Sequence, residues 1–380
     1  MRLRTRLIHA GQPPDPLTGA VNPPIYLSST FRQAAPNRHQ GYVYGRSGNP
    51  TRAVLEAALA ALEGGRAGLA FSSGLGALTT LLEAFPSGSR IVAGDDLYGG
   101  TWRLLDHHRR QFGVRVDFGD LGSPAVVEEM LEEPADLVYV ESPTNPLLKI
   151  VDLAAVARRA HRAGAVVAVD NTFATPALQR PIERGADIVL HSTTKYLGGH
   201  SDIIGGALVL KDRRAASRYA WLQNAVGAVP SPFDAYLTIR GLRTLGVRMR
   251  AHEESARAVA RVLARHRAAR TVYYPGLPSH PQHALARRQM DGFGGIVSVD
   301  LRGGKRAAIA FLRRLRVFTL AESLGGVESL VDHPATMTHA SVPEAERLRH
   351  GVTDGLVRLS CGIEDPADLA DDVRTALRGL

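Results

Sequence analysis

An alternation that runs from about residue 68 to 210 restricts the fold more than any other feature of the chain. Seven short apolar stretches, "GLAFSS", "RIVAGD", "VRVDF", "DLVYVES", "AVVAVDN", "DIVLHS" and "GGALVL", stand apart from one another. Most of the gaps hold segments with apolar residues at helical spacing, such as "SGLGALTTLLEAF" and "DLAAVARRAHRAG". Strand-length runs that are apolar nearly throughout belong to strands covered on both faces. Placed between helices, they build a mainly parallel sheet, because parallel neighbours need a long crossover connection. The alternation therefore predicts an α/β fold with a mostly parallel, seven-stranded sheet flanked by helices. The longest apolar runs are of strand length and cannot span a bilayer.

Different textures border this region. Residues 1–50 are rich in Pro, Gly, Asn and Ser, which predicts an extended N-terminal arm with little core of its own. The helix "NPTRAVLEAALAALEGG" follows, with Pro50 at its start and Gly64-Gly65 at its end. Beyond about residue 240, "RMRAHEESARAVARVLARHRAAR" predicts a long amphipathic helix over 248–270. "GIVSVDL", "VFTLAES" and "VRLSCGI" predict strands of a smaller C-terminal α/β domain with a mixed or antiparallel sheet. With 380 residues the chain is long enough for two cores. The expected division is an arm at 1–50, a large domain at 51–240 and a small domain at 241–380.

The net charge of +9 raises the question of nucleic acid. Phosphate tracking needs clustered cations, yet the arginines here stand singly or in pairs among alanines and acids, with no aromatic-studded basic stretch. No nucleic-acid or membrane partner is expected. Cys361 is the only cysteine, which excludes an internal disulfide and a cysteine-rich zinc site. His107-His108 and the pair His280 and His283 lack the helical acid partner of a metal site, so no metal is expected. The basic start "MRLRTRLIHAGQPPDP" has no apolar segment behind it, which predicts a cytoplasmic protein.

The chemistry is announced by lysine. Of 46 basic Lys and Arg residues, only Lys149, Lys195, Lys211 and Lys305 are lysines. Arginine stays charged at any working pH, whereas a lysine can lose its proton and attack a carbonyl. Lys195 sits between two buried-looking strands in "ADIVLHSTTKYLGGHSDIIGGALVL"; its plain alternative is a solvated loop residue. Ligands of an open parallel sheet gather beyond the carboxyl ends of its strands. There the chain places the turn Ser73-Gly74-Leu75, Asn145, Asp170, and the cluster Ser192, Thr194 and Lys195. Small residues opening a helix suit an anion. Asp170 could equally cap a turn, and Asn145 could stabilise an Asn-Pro turn. Together they describe a pocket for pyridoxal 5'-phosphate (PLP). Lys195 would join the aldehyde, Asp170 would face the pyridine nitrogen, and the Ser73–Leu75 turn with Ser192 and Thr194 would hold the phosphate.

"HSTTKYLGGHSD", "VDNTF", "ESPTNP", "YGRSGNPT", "DLYGGT", "ESLGG", "MTHAS" and "VRLSCGIED" resemble the Cys/Met-metabolism (trans-sulfuration) family of fold-type I PLP-dependent enzymes, from about residue 5 to the end. The resemblance implies that Tyr98 stacks on the cofactor ring and serves in proton transfer. It implies that Tyr44 and Arg46 reach the phosphate of a neighbouring subunit, for which a guanidinium fork is suited. Arg358 is implied to clamp the α-carboxylate of an amino-acid substrate, with Asn145 touching the cofactor and Ser323 near the substrate. Glu322 matches the acid that meets the distal ammonium of cystathionine. The resemblance further implies a homo-oligomer, a dimer of dimers. Methionine γ-lyases of the family carry a cysteine shortly after the stacking tyrosine, where this chain has Tyr98-Gly99-Gly100-Thr101. The remaining branches are cystathionine γ-lyase, which releases cysteine, 2-oxobutanoate and ammonia, and cystathionine γ-synthase, which joins cysteine to O-succinyl- or O-acetylhomoserine. The expected activity is the lyase, with the synthase as the alternative. A non-catalytic basic structural or nucleic-acid-associated protein is the remote third reading.

Overall fold

The computed structural model describes residues 1–380. All seven strands anticipated in the first half are present: β1 (Ala67–Phe71), β2 (Arg90–Gly94), β3 (Arg115–Gly119), β4 (Leu137–Glu141), β5 (Val166–Asp170), β6 (Ile188–Ser192) and β7 (Gly206–Leu210). They form one sheet in the order β1-β7-β6-β5-β4-β2-β3. β7 runs antiparallel to both β1 and β6, and the other pairings are parallel. Every residue of β2, β4 and β7 is buried, as expected for strands with helices on both faces.

Local sequence explains the helix boundaries. Helix α1 covers Leu3–His9 and α2 covers Pro50–Glu63. Asn49 caps α2 by accepting the N–H groups of Thr51 and Arg52, Pro50 fills a position whose N–H is not needed, and Gly64 ends the helix at φ 78°. Helix α3 (Gly74–Leu82) starts directly after β1, capped by Ser73, and α4 (Gly99–Gln111) starts shortly after β2 with Tyr98 as its N-cap.

The second half holds a five-stranded sheet in the order β10-β11-β12-β9-β8. Its strands are β8 (Ala269–Tyr273), β9 (Ile296–Leu301), β10 (Thr319–Leu320), β11 (Leu330–Asp332) and β12 (Leu356–Ser360). All its pairings are antiparallel except β10 with β11. A separate apolar core joins it to the last turns of a long helix, Pro232–Ala264.

Three expectations need correction. The long helix covers 232–264 rather than 248–270, because Ser231 caps a start with Pro232 in the first turn, and residues 269–273 pair with β9 instead. "VFTLAES" contributes only Thr319 and Leu320 to a strand, leaving Glu322 and Ser323 beyond its end. The arm is not extended at its start: α1 packs Leu7, which is buried, against the long helix, where a Cβ on Gly246 would lie 3.0 Å from Leu7 Cδ1.

Candidate active site

The sheet delivers its chemistry at one edge. Ser73 Oγ accepts the N–H of Gly76 at 2.9 Å, which opens α3 and leaves its first N–H groups facing outward. Ser192, at the end of β6, lies against that turn: a Cβ on Gly74 would come 3.0 Å from Ser192 Cβ. A side chain at this position would press on Ser192 and push the helix start away by a few tenths of an ångström. Ser73, Gly74, Leu75 and Ser192 therefore form one cradle, chemically fit for an anion. Thr194 stands beside it, but its hydroxyl is exchanged locally with Gly205, accepting its N–H at 3.0 Å and donating to its carbonyl at 3.2 Å.

Asp170 ends β5 opposite Glu141, which ends β4. Asp170 Oδ1 accepts the N–H of Thr172 at 2.9 Å, and the Tyr139 hydroxyl donates to Oδ2 at 3.3 Å. Burial raises the pKa of Asp170, held in check by the bonds from Thr172. Glu141 is pushed well above the usual carboxylate range by burial and then by Asp170. A cationic ring nitrogen placed here would relieve both carboxyls.

Lys195 follows β6, and its Nζ donates to Ser323 Oγ at 2.8 Å. Burial, and then the charge of Arg358, lower its pKa to about 8 against the opposing pull of Asp332 and Glu322. An amine so placed is partly free of its proton near neutrality, as a nucleophile or base must be. Ser323 holds φ 99°, a strained backbone conformation for a non-glycine residue. That turn aims its hydroxyl at Lys195 while its carbonyl accepts from Arg358 Nη2 at 3.0 Å.

Arg358, on β12, is only 2% exposed. Its Nη1 donates to Asn145 Oδ1 at 2.8 Å, its Nη2 pairs with Asp332, and its Nε is buried without a partner. The guanidinium is thus locked in place, with its Nε–H and one Nη1–H left for an incoming acceptor. Arg358, Asn145, Ser323 and Lys195 form one contiguous group drawn from both sheets. Glu322 is exposed beside it and acts on the Lys195 amine through its charge. Tyr98, 39% exposed, presents its ring at the start of α4.

Tyr44 and Arg46 lie apart from this group. Arg46 Nη1 donates to the carbonyl and side chain of Asn224 at 2.5 and 3.0 Å, and its guanidinium rests 5.7 Å from the Tyr44 ring centre. Sequence reasoning passed over two contributors. Glu141 stood in a quoted motif without a role, and its pairing register with Asp170 was the signal. Asp332 belongs to a three-residue strand that carries no pattern of its own.

The residues fit PLP: an anion cradle, a carboxylate for a ring nitrogen, and an amine of lowered pKa occupy one sheet edge. The chain matches the family described as "Cys/Met metabolism PLP-dependent enzyme" over residues 4–378. It is 52% identical to a cystathionine beta-lyase of Coxiella burnetii, covering 98% of this chain and 97% of that one. It is 54% identical to a cystathionine gamma-synthase of Mycobacterium tuberculosis, over 98% and 96% of the two chains, and 48% identical to a cystathionine gamma-lyase of Bacillus subtilis over the whole of both. The crystal structure of cystathionine gamma synthase from Xanthomonas oryzae pv. oryzae in complex with aminoacrylate and cysteine superposes with a TM-score of 0.97 at 48% identity, over 99% and 98% of the chains. With the amine, the acid and the anion cradle converging as they do, the chain belongs to the Cys/Met metabolism family of PLP-dependent enzymes.

Proposed function

We propose that this enzyme carries out γ-elimination on L-cystathionine, releasing cysteine, 2-oxobutanoate and ammonia. The observation that carries the reading is the grouping of Lys195, Ser323, Asn145 and Arg358, with Glu322 at its exposed side. Bound PLP supplies an electron sink that acidifies the hydrogens on the substrate's α- and β-carbons. The protein's own groups do the rest. Arg358 binds the α-carboxylate through its two spare donors and so orients the Cα–H bond. The Lys195 amine takes that proton and then one from the β-carbon, so that the Cγ–S bond breaks with its electron pair leaving on the cysteine sulfur, which takes up a proton, and Ser323 Oγ keeps the amine aimed. Asp170 holds the ring nitrogen protonated, and the Ser73–Leu75 turn with Ser192 holds the phosphate, joined by Thr194 once its hydroxyl turns from the Gly205 carbonyl. Tyr98 covers the ring and assists proton transfer, Asn145 joins cofactor and Arg358, and Glu322 receives the distal ammonium of the substrate.

Tyr44 and Arg46 complete a neighbouring subunit's phosphate site in a dimer of dimers. The chain acts as three units: arm, large domain and small domain. Its place of action is the cytoplasm; no helix is long and apolar enough to cross a membrane. Membership of an enzyme family leaves the non-catalytic basic protein without support. γ-Replacement of O-succinyl- or O-acetylhomoserine by cysteine is the second reading, favoured by the 54% identity to a gamma-synthase.

The test gives the enzyme cystathionine alone, then cysteine with either acylhomoserine. Faster 2-oxobutanoate release supports elimination, faster cystathionine formation moves the assignment to replacement, and dominant pyruvate release overturns both in favour of cleavage at the β-carbon. Glu322→Ala should reduce specificity for cystathionine about ten- to a hundredfold more than for a γ-substituted amino acid without the distal ammonium. Equal losses would remove Glu322 from substrate selection.

A further inference from the structure

The Leu97–Tyr98 peptide is gripped at both poles by buried side chains. Its N–H, on Tyr98, donates to Glu141 Oε2 at 3.1 Å. Its carbonyl, on Leu97, accepts from His339 Nε2 at 3.1 Å, and the same nitrogen is 3.1 Å from the Asn145 carbonyl. Both neighbours of Nε2 are acceptors, so Nε2 carries the proton. Nδ1 then accepts from the Thr338 hydroxyl at 3.0 Å, which fixes a single neutral tautomer. Burial and then Arg358 hold His339 down to a pKa of about 4, in keeping with that form.

Two glycines after Tyr98 complete the arrangement. A Cβ on Gly99 would meet the Thr338 carbonyl oxygen at 2.4 Å, so this glycine lets the His339 segment close onto the start of α4. A Cβ on Gly100 would meet Tyr98 Cε1 at 2.4 Å and Cζ at 3.0 Å. The Tyr98 ring therefore lies directly over Gly100. Glycine in a helix is unfavourable relative to alanine, by about 1 kcal/mol in an interior and by less in the first turn where Gly100 stands, and Gly100 has no positive φ to justify it. The three atoms nearest such a Cβ all belong to the Tyr98 ring.

We propose that Glu141, His339 and Gly100 are positioning residues for Tyr98: the first two clamp the peptide that carries it, and the third provides the seat that sets the plane of its ring. The inference rests on the reading of Tyr98 as the residue stacked on the cofactor. His339 comes from the second half of the chain and also bonds the Asn145 carbonyl, while the Asn145 side chain bonds Arg358. The clamp thus joins the ring position to the loop that holds the carboxylate-binding arginine.

The experiment measures three quantities on each variant: the induced circular dichroism of the bound PLP band in the holoenzyme, the PLP dissociation constant on reconstitution, and the melting temperature of the apoprotein. Gly100→Ala should change the dichroism and weaken PLP about tenfold through its coupling to Tyr98. Its apoprotein should melt at the same temperature or up to about 2 °C higher, since the helix itself is improved. In a Tyr98→Ala background, Gly100→Ala should have no further effect on dichroism or affinity. His339→Leu should imitate Gly100→Ala in dichroism, and His339→Gln, which keeps an N–H donor, should restore part of the signal.

The outcomes separate the two readings. If Tyr98→Ala leaves both dichroism and affinity unchanged, the stacking role of Tyr98 is wrong and the inference falls with it. If Tyr98→Ala alters them but Gly100→Ala does not, stacking stands and the seat is refuted. A Gly100→Ala effect that persists without the Tyr98 ring also refutes the seat. A His339→Leu protein that loses stability while keeping its native dichroism refutes the clamp.

Discussion

Lys149 and Lys195 follow β4 and β6 of the same sheet, emerge at the same edge and are both partly buried, yet their amines are driven in opposite directions. Burial pulls Lys149 down, but Asp95, Asp96 and Asp120 together outweigh it and its pKa rises. Its Nζ lies 3.1 Å from Asp95 and 3.3 Å from Asp120. Lys195 has no carboxylate in contact; its hydrogen bond goes to a serine hydroxyl, and Arg358 adds a like charge. Burial is common to both loops, so the neighbouring charges decide which lysine is held as a cation and which is eased toward its free amine.

The largest expected effect separates the two by function. Lys195→Ala should lower turnover of cystathionine by about a thousandfold or more and leave the fold intact by circular dichroism. Lys149→Ala should stay within about tenfold of the wild type. Equal losses would erase the distinction.

pH offers a finer test. A lysine with pKa about 8 is roughly one-tenth unprotonated at pH 7, about 300-fold more than an ordinary one. Acylation of Lys195 in the apoprotein, followed by peptide mapping, should rise with pH and level off above about 8, while Lys149 continues to gain reactivity past 10. The stability consequences have opposite signs. The folded pKa of Lys195 is below its unfolded value, so the penalty for burying its charge is complete below about 8. That penalty is relieved as pH climbs toward 10.5. The apoprotein should therefore gain up to about 3 kcal/mol relative to Lys195→Met across that window. Lys149 has a raised pKa, so its contribution is complete below the unfolded value and is lost as pH rises through the folded one. A parallel pH trend for Lys149→Met would contradict the opposed shifts.

The smallest effect is on stability alone. Lys149→Met should cost about 1–3 kcal/mol in urea unfolding at pH 7, because it leaves Asp120 unpaired and Asp95 with only His350, at 3.2 Å. A neutral result would mean that solvent already screens these carboxylates.

Much of the fold was legible because covered strands leave a local mark. Each of the seven strands of the large sheet is a compact apolar run, and the turns after β1, β5 and β6 display small, acidic or amine-bearing residues directly. β8 escaped because it follows closely on a helix and, as an exposed edge strand, lacks an apolar signature. β11 escaped because three residues are too few to show a period. Lys195, Asp170 and Ser73 could be picked out because each sits beside the strand that positions it.

By itself, the sequence determined the α/β architecture and singled out the candidate amine, acid and anion cradle, since these depend on short-range periodicity and on residues adjoining it. Tertiary structure alone decided which groups act on one another. Asn145 and Arg358 are 213 positions apart yet bonded, and Asp332 takes the other arm of the same guanidinium. His339 reaches 242 positions back to the carbonyl before Tyr98. Desolvation and charge act through space with a range of a few ångströms, so the lowered pKa of Lys195 and the grip on Tyr98 exist only once the two sheets have met.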